Sequence, residues 1–94
     1  PPKFGRGAGG KVWEFFEHFP ELLDTCRSLL SPEPLFVVIT AYAVQASALY
    51  LHHALEGRLS GLGGDLTAGE LITVEQSAGR WLSQAIFARW TALA

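Results

Sequence analysis

Pro1-Pro2-Lys3-Phe4-Gly5-Arg6-Gly7 begins the chain with residue types that can grip a planar ring. Two consecutive prolines have no backbone N–H to donate and hold the chain extended, which leaves their carbonyls free to accept from a ligand. Phe4 sets a flat apolar face beside them, so the corner suits a base bearing an exocyclic amino group. Stacking on an aromatic is worth about 1–3 kcal/mol per base, enough to position a flipped nucleotide but not to specify it. Lys3, Arg6 and Lys11 all precede the first acidic residue, Glu14, and give this stretch a local positive charge in a chain of net charge −2. The overall charge argues against wholesale electrostatic binding to nucleic acid. The local loop can still meet phosphate, and a merely solvated loop is an equally good reading.

The elements that must position these groups are read from periodicity. The glycines at 5, 7, 9 and 10 make a loop over residues 1–10, followed by a short helical segment, Val12 to His18. Pro20 starts a second helix, since proline is tolerated in a first turn, and Glu21 and Asp24 complement that N-terminus. Leu22, Leu23, Cys26, Leu29 and Leu30 follow the spacing of one buried helix face, which makes Cys26 a core residue rather than a nucleophile. Ser31-Pro32-Glu33-Pro34 ends the helical region at about residue 30. Residues 35–40 then form a continuous apolar run of the kind buried on both faces of a parallel sheet. Val44, Ala48, Leu51, Leu55 and Leu59 mark a helix over residues 43–59. A β-hairpin is predicted over residues 70–91, with a turn at Ser77-Ala78-Gly79 and an interruption near Ser83-Gln84. The fold class is α/β, in the order helix, strand, helix, strand, strand.

Composition narrows the function classes. Ninety-four residues with 49% apolar content bury a modest core, and the excess apolar surface is what half of a larger domain would carry. A single cysteine excludes an internal disulfide and supplies no metal spacing, which fits a reducing, cytoplasmic setting. His52 and His53 are adjacent on a helix and point about 100° apart, poor geometry for a shared metal, so no metal site is expected. No Asp, Glu, Lys or Arg lies between Glu33 and Glu56, which raises a membrane span as a reading. Polar interruptions and the change from β-branched to alanine-rich composition favour a strand followed by a helix instead. No signal-peptide pattern is present.

Four segments carry a family resemblance: the Pro-Pro-Lys-Phe corner, Gly10-Lys11-Val12-Trp13-Glu14, Leu35-Phe36-Val37-Val38-Ile39-Thr40-Ala41-Tyr42, and the closing Leu82-Ser83-Gln84-Ala85-Ile86-Phe87-Ala88-Arg89-Trp90. Together they resemble the class I S-adenosylmethionine-dependent RNA methyltransferases related to the large-subunit cytosine methyltransferases, in which an Asp-Pro-Pro-Lys-Phe element ends the fourth strand. The resemblance implies the C-terminal half of a Rossmann-like methyltransferase sheet with its last strand antiparallel. S-adenosyl-L-methionine would be bound mainly by a missing N-terminal half, because neither a cofactor-type glycine turn nor an acidic ribose ligand is recognisable here. The 94-residue piece alone is expected to be inactive.

On this reading, Pro1, Pro2, Phe4, Thr40 and Tyr42 face the target base, Lys3, Arg6 and Lys11 contact RNA phosphates, and the catalytic residue is not identified. Relatives that methylate carbon 5 of cytosine carry a cysteine in the loop after the strand at 35–40, where this chain has Thr40-Ala41-Tyr42. Without a thiolate to add to carbon 6, a target atom that is already nucleophilic, a nitrogen or an oxygen, is expected. The partners implied are RNA, ribosomal RNA in particular, the missing half of the domain and a homo-oligomer, with no membrane. A non-catalytic α/β interaction module is the alternative.

Overall fold

The computed structural model describes residues 1–93, the side chain of Ala8 excepted. Two short strands, β1 (Phe4–Arg6) and β2 (Val12–Glu14), pair antiparallel as a ribbon. Helix α1 (Phe15–Leu29) follows β2 directly. Strand β3 (Phe36–Ala41), helix α2 (Ala48–Leu59) and the long hairpin of β4 (Asp65–Val74) and β5 (Trp81–Thr91) complete the order. The three later strands form one sheet in the order β3-β5-β4, antiparallel throughout.

Both helices lie on one side of this sheet because each presents a ridge at four-residue spacing. Phe15, Phe19 and Leu23 on α1, and Leu51, Leu55 and Leu59 on α2, are buried with Ala41, Ala88 and Trp90. Phe15 and Phe19 stack with ring centroids 4.6 Å apart. On the sheet, Val37, Ile39 and Ala41 stand opposite Trp90, Ala88 and Ile86, so alternate residues of β3 and β5 share the face turned to the helices. One helix layer on one sheet accounts for the 18 Å thickness of the body. Arg58 ties α2 to α1: its Nε donates to Asp24 Oδ1 at 3.1 Å and its Nη2 to the Pro20 carbonyl at 3.4 Å, while its own carbonyl accepts from Arg27 Nε at 3.0 Å.

Several elements differ from the sequence expectation. Residues 12–14 are strand rather than helix, because Phe4 to Arg6 pair with them. Helix α1 therefore starts at Phe15 and runs through Pro20, which lies within the helix instead of opening one. The ring costs the bond that an N–H there would give the Phe16 carbonyl. The expected apolar stripe shifts accordingly: Phe15, Phe19 and Leu23 are the buried residues of α1, and Leu29 is exposed. Helix α2 begins at Ala48 and not at residue 43, since Ala43 adopts a left-handed φ of 57° that interrupts the path out of β3. The hairpin is longer than residues 70–91 suggest, beginning at Asp65.

Where an interruption is expected at Ser83-Gln84, Leu71 pairs with Ala85 and Ile72 with Ser83, so Gln84 is the extra residue of a bulge. Strand β3 has its helices on one face only; Phe36 and Val38, on the other face, are exposed. Its only strand neighbour among the described residues is the antiparallel β5. Among the described residues no helix is long and apolar enough to cross a membrane.

Candidate functional site

The ribbon sets out the Phe4 corner by strand alternation. Phe4 and Arg6 stand opposite Glu14 and Val12, so these four side chains share one face, while Gly5 and Trp13 occupy the other. Trp13 turns inward against Phe15 and His18. Phe4 is left 59% exposed, and with Gly5, Arg6 and Val12 it lines a shallow groove. The Lys3 ammonium sits 5.5 Å from the Phe4 ring centroid, a cation–π contact at the rim of that groove. Pro2 packs toward Gly5, with its Cγ 4.0 Å from where a Cβ would stand, an ordinary contact distance.

Backbone hydrogen bonds fix this ribbon to the body. The Phe15 N–H, free at the start of α1, donates to the Lys3 carbonyl at 2.8 Å. The Glu14 N–H donates to His18 Nδ1 at 2.9 Å, so a side chain one turn into α1 holds the strand-to-helix junction. The loop at the ribbon's tip closes through Gly7 N–H to the Lys11 carbonyl at 2.7 Å, and Gly9 and Gly10 take left-handed φ values of 72° and 77° that only glycine adopts readily. Lys3, Arg6 and Lys11 are exposed, and among the described residues none of the three forms an ion pair.

The structure joins Pro1 to the end of β3: the Tyr42 N–H donates to the Pro1 carbonyl at 3.2 Å. The Pro1 carbonyl thus already accepts one hydrogen bond, from Tyr42, and keeps a second lone pair. The Pro2 carbonyl accepts from no donor among the described residues. Tyr42 is half exposed, and Thr40 is half-buried opposite Phe87 on the sheet face away from the helices. Residues that sequence reasoning misses are Val12, which floors the groove, and His18, which secures the junction; assigning residues 12–18 to one helix conceals both.

Cys26 lies half-buried on α1 at a small, partly open gap lined by Leu23, Leu30, Val37 and Ile39 together with Arg27 and Arg58, on the helix side of the sheet. His52, His53 and Glu56 bring one ligand atom each within 4.8 Å of one another on α2, closer than adjacent histidines suggest. His53 Nδ1 lies 3.7 Å from Glu56 Oε1, and both side chains are largely exposed.

The cofactor expected from the resemblance needs a glycine-rich turn between a strand and a helix, with an acidic ribose ligand beyond it. The glycines here stand elsewhere: Gly5 to Gly10 lie within the antiparallel ribbon, and Gly61 to Gly64 join α2 to β4. The described residues do not make such a pocket.

The fold is a mixed α/β segment of the methyltransferase type. It is similar to the crystal structure of a SAM-dependent methyltransferase from Agrobacterium tumefaciens, at 43% identity and a TM-score of 0.92, over 99% of this chain and 31% of that one. The chain thus spans about a third of that protein's length. This likeness supports the methyltransferase class. No family model and no curated protein matches the chain.

Proposed function

We propose that this chain supplies the target-base side of a SAM-dependent methyltransferase acting on RNA, ribosomal RNA in particular, in the cytoplasm. The upstream part of the same domain would hold the cofactor, whose chemistry when bound is to offer an electrophilic methyl group. The methyltransferase part of this reading rests on the 43% identity and close superposition. The base-binding part rests on one observation, the 3.2 Å hydrogen bond from Tyr42 to Pro1. That bond holds the loop after β3 beside the Pro-Pro corner, so Pro2, Phe4 and Tyr42 are carried on one support.

Each residue has a defined task. The Pro2 carbonyl accepts from an exocyclic amino group, and the exposed Phe4 ring stacks on the base. Lys3, Arg6 and Lys11 meet the phosphates that flank it. Thr40 and Tyr42 orient the acceptor atom through their hydroxyls. Positioning of this kind supplies much of the rate of a group transfer, because the acceptor must be held near attack distance and angle. Neither the end of β3, Thr40-Ala41, nor the loop over residues 42–47 carries a thiol, and Cys26 lies on the helix side of the sheet beside Leu23, Val37 and Ile39, away from that loop. The acceptor is therefore a nitrogen or oxygen that needs no covalent activation.

The test is transfer of labelled methyl from S-adenosylmethionine to ribosomal RNA by the full-length protein. RNA labelling that falls in Phe4→Ala while cofactor affinity is unchanged supports the proposal. Absence of labelling on any RNA overturns the substrate assignment. A second reading, a non-catalytic interaction module, is favoured by the exposed Phe36 and Val38. Calorimetry separates the two, since the module requires that the full-length protein bind no S-adenosylmethionine.

A further inference from the structure

Three side chains with metal-ligating atoms meet on α2, outside the base-binding corner: His52, His53 and Glu56. Their places on the helix explain why. At about 100° per residue, with His52 as the origin, His53 stands at about 100° and Glu56 at about 40°, one turn further along. The carboxylate therefore lies over the gap between the two imidazoles, and the three side chains form a triangle on one patch of surface. Adjacent histidines can share an ion when a third ligand closes that gap. One ligand atom from each residue lies within 4.8 Å of the other two, and His53 Nδ1 is 3.7 Å from Glu56 Oε1. Around a tetrahedral zinc ion with bonds of about 2.0–2.1 Å, ligand atoms stand about 3.3–3.5 Å apart. Side-chain rotation supplies the remaining closure, because the side chains of His53 and Glu56 are 69% and 62% exposed.

His52 supplies an independent observation. The buried ridge of Leu51, Leu55 and Leu59 runs at about −100°, −60° and −20° on the same scale, so His52 borders it. Packing against that ridge leaves the imidazole half-buried. Its Nδ1 is buried and has no hydrogen-bond partner, the only such side-chain atom among the described residues. Buried polar atoms are nearly always paired, and a bound ion is one of the few partners that can account for an orphan. Glu56 is also open to a cation from outside. Arg58, the one Arg or Lys of α2, turns instead to Asp24, 3.1 Å away.

We infer that His52, His53 and Glu56 form a binding site for a divalent transition-metal ion of the zinc class. Two imidazoles and one carboxylate suit zinc, nickel or copper, whereas calcium and magnesium require oxygen ligands. Three protein ligands leave a further position open to water. The ion ties the turn of His52 and His53 to the turn of Glu56, so it stabilises α2 in proportion to its occupancy.

Calorimetric titration of the full-length protein, freed of metal and of any affinity tag, with zinc chloride alone tests the assignment. His53→Ala and Glu56→Gln change exposed side chains and should leave the fold intact, and each should raise the dissociation constant for zinc at least about tenfold, the effect of about 1.4 kcal/mol. Cys26→Ser should leave zinc affinity unchanged, and magnesium should not displace the ion. Nuclear magnetic resonance of the imidazole nitrogens gives a second readout: zinc should shift the ring signals of His52 and His53 together and leave those of His18 in place. No zinc uptake, an affinity indifferent to His53→Ala or Glu56→Gln, or loss of the ion in Cys26→Ser would each overturn the inference. So would a shift confined to one histidine, the mark of an adventitious ion on a single ring.

Discussion

Gly64→Ala tests the link between α2 and the sheet at a single atom. Gly64 sits at a φ of 82°, and an added Cβ would meet the Thr91 carbonyl and lie 2.7 Å from Trp90 Nε1. The left-handed conformation alone costs an alanine about 1–2 kcal/mol. The added methyl must also push the indole away, which breaks its 2.7 Å hydrogen bond to the Gly63 carbonyl. That loss costs about 0.5–1.5 kcal/mol, and forcing a methyl into packed surroundings costs a further ~1–3 kcal/mol. The expected destabilisation is therefore about 3–6 kcal/mol. Gly79→Ala is the matched control: its φ is 71°, but nothing lies within 4 Å of the Cβ position, so only the conformational cost applies. Urea denaturation of both variants in the full-length protein, followed by Trp fluorescence, gives the comparison. Equal losses for the two would refute the claim that Trp90 and Thr91 close over Gly64.

Phe4→Ala should lower kcat/KM for RNA by about 5- to 150-fold, the equivalent of about 1–3 kcal/mol of stacking. Stability should hardly change because the ring is exposed, and a denaturation curve checks that. Arg58→Ala should destabilise by about 1–3 kcal/mol, since it strips hydrogen bonds from Asp24 and the Pro20 carbonyl together, whereas Asp24→Ala, with its exposed carboxylate, should cost under ~1 kcal/mol in the same denaturation assay. Removing Arg6 and Lys11 together should flatten the dependence of RNA affinity on salt, read as the slope of log K against log salt. Ribosomal RNA carrying fluorocytosine should leave no adduct on the protein; a thiol-linked species in denaturing gels would reinstate a covalent route.

Regions with strong periodicity are legible in the amino-acid sequence alone. Leu51, Leu55 and Leu59 lie where a helix face predicts them, and β3 is visible as a run of β-branched residues. The Gln84 bulge announces itself as a polar break in an apolar strand. Non-local pairing is the part that local pattern conceals. Val12-Trp13-Glu14 has no helical or strand signature of its own, and its strand state exists because Phe4 to Arg6 return to it. The same holds for Asp65 to Gly69, whose glycine and aspartate read as loop. There, β5 supplies the missing partner, and the Phe87 ring covers Gly69 with Cε1 only 3.2 Å from where a Cβ would stand. At the site, the residue types point to a corner but not to its wiring. The hydrogen bond from Tyr42 to the Pro1 carbonyl is a contact across the chain that no spacing rule contains.

That contact makes recognition conditional on assembly. Pro1 and Tyr42 are remote along the polypeptide, and their contact depends on the pairing of β3 with β5, which carries Tyr42, the residue just past the strand's end, to the corner. A nascent or partly melted chain would display the same prolines and the same phenyl ring without a scaffold to aim them. On the proposed reading, slackening at that one strand terminus would disarm the grip on a base while the helical layer still held.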